Sequence, residues 1–318
     1  MRLLLLMKAK SNAVYNMSMY RIETTNATGD YELLDSGDGE KLERYVKIMI
    51  ARPDPQALWH KLLPDATWKK ADAYFKREKA VTRGDGSSSG RDAGWQTRFV
   101  VPDRWEIGFD KLRFLIKLSP FKHTGLFPEQ ASNWDWIREK IKSAKRTVQV
   151  LNLFGYTGGA TLAAAQVGAE VCHLDGSKTA IGWARDNATA SGLAAKPIRW
   201  ILDDARKFVE REIKRGRRYD GIIMDPPAFG HGPNGEVWKI EEDFPKLLEV
   251  CREALSDKPL FFLINGYASG YSALAYKNNL LGVMKGYEGT IEVGELTIGE
   301  SQSDRLLPCG IFARWSAN

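Results

Sequence analysis

Thr147-Val-Gln-Val-Leu-Asn-Leu-Phe-Gly-Tyr-Thr-Gly-Gly159 is an apolar run that breaks into a glycine-rich turn, followed by the small-residue stretch Ala160–Gly168. A short apolar run bounded by a turn reads as a buried strand, and the stretch after it reads as a helix. Working outward, strands are expected at Glu170–Leu174, Ile198–Leu202, Tyr219–Met224 and Leu260–Ile264. Helices are expected at Trp134–Ala144, Lys178–Ser191, Ala205–Arg215 and Ile240–Leu255. Strands alternating with helices predict a parallel sheet built of βαβ units. After a last helix near 271–285, Thr290–Leu296 and Arg305–Trp315 follow each other with no helix between them. They must pair as an antiparallel hairpin at one sheet edge, an ending that an all-parallel dinucleotide-binding sheet lacks. No internal repeat is visible.

The N-terminal part has a different texture. Tyr31–Asp35, the turn Ser36–Gly39 and Tyr45–Ile50 read as short strands, with Pro53 and Pro55 ending the last. Gly84–Gly90 is a loop by composition, and strands resume around Thr97–Val101 and Leu112–Leu118. The expected partition is a disordered extension over 1–18, a small β-rich domain over 19–122 and an α/β domain over 123–318. Leu3–Met7 is far too short for a membrane span, so no membrane partner is expected.

The chain has 318 residues, 43% hydrophobic and 27% charged, enough to bury a real core. Its net charge is +6. Residues 1–125 hold 22 Lys and Arg against 16 Asp and Glu, and the remainder holds 24 of each. The whole excess lies in the N-terminal part, which favours an acidic partner such as RNA. Three scattered cysteines (Cys172, Cys251, Cys309) and four isolated histidines provide no disulfide framework and no metal-ligand spacing. A reducing cytoplasm and no metal are expected.

Three acids end successive strands. Asp175 lies twenty residues past Gly155, a spacing at which a carboxylate accepts from ribose hydroxyls. The turn is Gly-x-x-Gly-Gly, which tilts away from a pyrophosphate grip. Phe154, Gly155, Tyr156, Thr157, Asp175 and Asp204 are therefore the candidate cofactor contacts. Asp204 can accept from an adenine amino group or cap the following helix. Asp225-Pro-Pro-Ala-Phe229 ends the next strand, at the edge where open α/β sheets bind ligands. Two prolines fix that turn and keep its carbonyls out of the ladder. Asp225 and Pro226 can then orient a planar nitrogenous group, with Phe229 as a stacking face.

Asn152–Gly159, Leu174-Asp175 with Trp183–Asn187, and Asp225–Phe229 resemble the large-subunit ribosomal RNA methyltransferases, a family with cytosine-C5, guanine-N7 and guanine-N2 members. Thr124–Gln130 resembles the segment leading into that family's first Rossmann helix. The resemblance covers roughly residues 110–315. It implies a Rossmann-like seven-stranded methyltransferase sheet, S-adenosylmethionine as methyl donor and a base of ribosomal RNA as acceptor. Two departures stand out: no separate RNA-binding module is evident at the N-terminus, and Ala131-Ser132-Asn133 replaces the family's arginine after Gln130. Cytosine-C5 transfer needs a thiolate, and no cysteine adjoins Pro226-Pro227. Cys309 on the final hairpin can approach the active face, although its default reading is a packed thiol.

Lys69, Lys70 and Arg77, interleaved with Trp68, Tyr74 and Phe75, are the candidate RNA contacts, by phosphate pairing and stacking. Two rivals stand beside RNA methylation: transfer to a protein amide or small molecule, and a binding module without catalysis. Intact Asp175, Asp204 and Asp225 argue against the second. Oligomeric state is not legible.

Overall fold

A computed structural model describes residues 20–76, 94–120, 122–267 and 270–318. The expected extension over 1–18, the loop Gly84–Gly90 and Arg77 lie outside the described residues. The chain begins with β1 (Tyr20–Thr25), β2 (Tyr31–Gly37), β3 (Glu40–Tyr45), β4 (Ile48–Pro53), α1 (Asp65–Trp68), β5 (Ala73–Lys76) and β6 (Gly94–Thr97). β7 (Trp105–Phe109), β8 (Leu112–Ile116), a 3-10 turn (Pro128–Gln130) and α2 (Ala131–Ser143) lead into the alternating region. There follow β9 (Gln149–Leu153), α3 (Gly159–Gln166), β10 (Glu170–Asp175), α4 (Lys178–Ala190), β11 (Ile198–Leu202), α5 (Ala205–Lys214) and β12 (Gly221–Met224). The chain ends with β13 (Phe229–His231), β14 (Val237–Lys239), α6 (Ile240–Ala254), β15 (Phe261–Gly266), α7 (Ala273–Val283), β16 (Gly289–Gly299) and β17 (Leu306–Ala317).

β12 and β15 are buried along their whole length, as strands covered by helices on both faces must be. The large sheet runs β1-β16-β17-β15-β12-β9-β10-β11, with β17 antiparallel to both neighbours. The seven strands expected from the sequence are all present. The terminal hairpin is not the sheet edge, however, because β1 pairs in parallel with β16 and adds an eighth strand. Arg314 holds that corner, reaching Glu23 on β1 at 2.7 Å and Glu292 on β16 at 2.9 Å. The sheet's switch point lies between β9 and β12, where successive connections turn in opposite directions.

β2 to β6 form a second, five-stranded sheet, and β7 pairs with β8. Its apolar face is not a separate core. Tyr31, Leu33, Tyr45 and Ile50 pack in one cluster with Phe109 and Phe114, with Trp134 and Leu162 of the α/β part, and with Ile298 and Leu307 of the hairpin. Arg305, in the β16–β17 turn, binds buried Asp35 at 2.9 Å and Glu300 at 3.0 Å. Asp35 also accepts from Leu62 N–H, Leu63 N–H and the Trp68 indole.

Candidate active site

The β9–α3 loop is strained where it would meet a ligand. Phe154 and Tyr156 adopt φ of 57° and 45°, a left-handed backbone that costs a side-chain-bearing residue about 1–2 kcal/mol. Local contacts hold it there. Gly155 N–H donates to the Leu174 carbonyl and Tyr156 N–H to Asp175, both at 2.9 Å. The Phe154 ring lies 5.1 Å from that of Trp238. A Cβ on Gly155 would come within 2.5 Å of the buried His173 ring. Thr157 donates to the Gly125 carbonyl at 2.6 Å, so its hydroxyl ties the loop to the segment before α2.

Asp175 accepts from Tyr156 N–H and, at 2.8 Å, from Ser177 N–H. Burial raises its pKa, and the two N–H groups oppose that rise. Each carboxylate oxygen retains a second lone pair for a diol. Asp204 caps α5, accepting from Lys207 N–H at 2.9 Å, while also lining the cavity. Both roles read from the sequence are thus sterically open to it. Asp203 beside it is engaged by Arg211.

Asp225 follows β12. Asp225 is itself exposed, on the wall of the cavity, and the protein mass around that concave site pushes its carboxyl up to about 6. No described residue donates to that carboxylate or to the Pro226 carbonyl. The next two carbonyls are spent: Pro227 accepts from the Trp238 indole at 2.7 Å and Ala228 from Ile240 N–H at 3.1 Å. Phe229 is placed differently from the sequence expectation. The chain turns at the prolines into the β13–β14 hairpin, so its ring is 58% exposed, packs against His231, and does not line the cavity. That hairpin instead brings the His231 carbonyl and Gly232 against Gly176, roofing the loop after β10.

One cavity of about 590 Å³ joins these groups, within the range of small-molecule sites. Its lining includes residues that the sequence reading passed over: Tyr276 on α7, Asn265 on β15, Glu129 in the 3-10 turn, and Lys41 and Asp54 of the small sheet. They carry no motif; only the fold assembles them. Cys309 also lines it, but its thiol points to the Leu307 carbonyl at 3.4 Å. Burial, aided by Glu129, Asp54 and Glu43 against Lys41, drives that thiol well above its usual range, which disfavours a thiolate nucleophile. Lys69 and Lys70 are exposed, just past α1, and outside the cavity lining.

Unspent acceptors on Asp175, a helix start at Gly159 and a second carboxylate at Asp204 suit an adenosine with a charged tail. The family model of S-adenosylmethionine-dependent methyltransferases matches residues 93–274, more than half of the sequence. The chain belongs to that family. A methyltransferase of this family from Agrobacterium tumefaciens, a solved structure, is 40% identical with a TM-score of 0.85, covering 94% of each chain. Among curated relatives, ribosomal RNA large subunit methyltransferase K of Neisseria meningitidis is 28% identical over 49% of this chain. Ribosomal RNA large subunit methyltransferase I of Aeromonas salmonicida is 36% identical over 44% of it. This chain spans 44% and 32% of the lengths of those two relatives. In this methyltransferase, Phe154–Thr157, Asp175 and Asp204, the residues expected to contact S-adenosylmethionine, all line this one cavity. Among the described residues no cluster could hold a metal, and no helix is long and apolar enough to cross a membrane.

Proposed function

We propose that this enzyme methylates a base of ribosomal RNA in the cytoplasm, with Asp225 and Pro226 holding the acceptor. The observation that carries this reading is the pair of unspent acceptors at the end of β12, inside the cavity that also holds Asp175. Bound S-adenosylmethionine supplies an electrophilic methyl group. The acceptor nitrogen displaces sulfur in line: the N–C bond forms, the C–S pair returns to sulfur and the acceptor proton passes to solvent. No strong base is needed, so the protein's task is orientation and exclusion of water. Asp225 and the Pro226 carbonyl accept the N–H groups of a planar amine and leave its lone pair facing the methyl. The names of the curated relatives support RNA over a protein amide or small molecule as acceptor. Lys69 and Lys70, outside the cavity, and Arg77, all on the more basic N-terminal part (residues 19–122), serve this reading as phosphate contacts.

The test is incubation with tritiated methyl donor and either unmodified ribosomes or protein-free ribosomal RNA. RNA label that disappears with Asp225→Ala is the expected result. Label found only in protein would overturn the RNA reading, and full activity of the variant would overturn the role of Asp225.

A further inference from the structure

We propose that Lys41 and Glu129 form a subsite that reads the hydrogen-bonding edge of the acceptor base. This rests on the RNA-base reading above and assigns the groups that recognise the base, as distinct from those that hold the reacting nitrogen. The cavity runs along the carboxyl edge of the large sheet. Asp175 ends β10, Asp225 follows β12, and Cys309, beside Glu129, lies on β17, two strands beyond β12 on the side away from Asp175. At about 4.8 Å per strand, that places the far wall roughly 10 Å past Asp225, which is room for one planar ring.

The hydrogen-bonding capacity of that wall decides the ligand. Arg52 is spent: it holds Glu43 at 2.5 and 2.9 Å and the Tyr45 hydroxyl at 3.2 Å. Lys41 forms ion pairs with Asp54 at 3.2 Å and with Glu43 at 3.9 Å, which leaves its three-donor ammonium with N–H capacity to spare. Asp54 is further engaged by Gln56 N–H and the Tyr267 hydroxyl. Glu129 is the exception. Its side chain is buried in the cavity wall, 7% exposed, and its carboxylate accepts from its own backbone N–H but from no side chain among the described residues. It feels the charge of Lys41 without forming an ion pair with it. Burial pushes its carboxyl up to about 7, against the opposing pull of the Lys41 charge, its own N–H and Arg52.

A phosphate does not suit this wall, because the charges of Lys41 and Arg52 are already matched by carboxylates and the open donors of Lys41 stand near an unpaired acid. The missing partner of Glu129 is an N–H donor, and the missing partner of Lys41 is an acceptor beside it. A nucleobase edge presents that pair on one rigid plane. Enzymes acting on bases take the base out of its stack into such a pocket and read its edge there.

The experiment uses the whole chain saturated with S-adenosylhomocysteine and titrates the four nucleoside 5′-monophosphates against ribose 5-phosphate. At least one nucleotide should bind about tenfold or more tighter than ribose 5-phosphate. Glu129→Met and Lys41→Met should remove that preference and raise the KM for ribosomal RNA about tenfold, while Glu129→Gln, which keeps an acceptor oxygen, retains most of both. Unchanged affinity for S-adenosylhomocysteine shows that a variant is folded. Ribose 5-phosphate binding as tightly as every nucleotide, or an unchanged RNA KM in Glu129→Met, would overturn the subsite alone. Failure of the unmodified enzyme to label RNA would overturn the RNA reading instead.

Discussion

Asp225 faces the cavity with nothing opposing its charge except the protein mass around it. Its carboxyl is raised from an ordinary 3.8 to about 6, so below pH 6 it is protonated and one lone pair is occupied. We therefore expect kcat/KM for RNA to fall as pH drops through about 6. A bound cationic sulfur favours the carboxylate, so kcat should fall at a lower pH. In Asp225→Asn that inflection should vanish, and kcat should drop about a hundredfold through lost orientation. A raised folded-state pKa on an acid means that the ionised form is tolerated poorly in the folded protein. Stability is then lost as pH rises from the unfolded value through the folded one. Asp225→Asn should accordingly melt no lower than the parent at pH 7. A lower Tm would show that Asp225 has a structural partner. Legibility at this scale followed locality. Asp175 and Asp225 could be placed at the carboxyl edge of the sheet because Asp175 ends β10 and Asp225 follows β12 directly in sequence. Phe229 was misplaced because proline fixes the turn but not where the chain goes next. Lys41 and Glu129 were silent because they meet only in the fold.

The glycine loop and the hairpin turn are the elements on which the rest depends. A Cβ at Gly155 meets a ring that cannot retreat, because His173 is buried, bonded to Thr161 at 2.9 Å and packed on Trp200. Gly155→Ala should weaken binding of S-adenosylhomocysteine about tenfold or more and cost about 1–3 kcal/mol of stability. Titration calorimetry and thermal melts would check both, and parental affinity would show that the loop relocates freely. Arg305 anchors the other turn. Arg305→Met leaves Asp35, 1% exposed, without its cation, which should cost about 3–5 kcal/mol in a denaturant titration. A loss under 1 kcal/mol would mean that the two N–H groups and the Trp68 indole suffice. The alternation of strands and helices was readable from periodicity, and so was the antiparallel ending. The β13–β14 hairpin was not, because three-residue strands carry too little pattern.

At the scale of the molecule, the two sheets share one apolar cluster. Phe114 stacks on Trp134 at 5.5 Å, and a Cβ on Gly159, at the start of the cofactor helix, would meet that same indole at 2.3 Å. The change of texture near residues 120–130 therefore marks a change of topology inside a common core. Expressed alone, residues 20–120 should lack a cooperative melt, whereas the whole chain should unfold in one transition. A folded fragment with dispersed amide resonances would contradict the shared core. β1 was the element least accessible to sequence reading, because the strand it pairs with lies far down the chain: Thr24 meets Thr297 across 273 residues.

That pairing also constrains how the molecule is made. During synthesis, the segment forming β1 leaves the ribosome with no strand to join, and β16 follows on the order of tens of seconds later. Closing so long a loop is slow, so the edge of the large sheet should be the last part to set. Nascent chains stalled before residue 290 should hold Tyr20–Thr25 open to proteolysis.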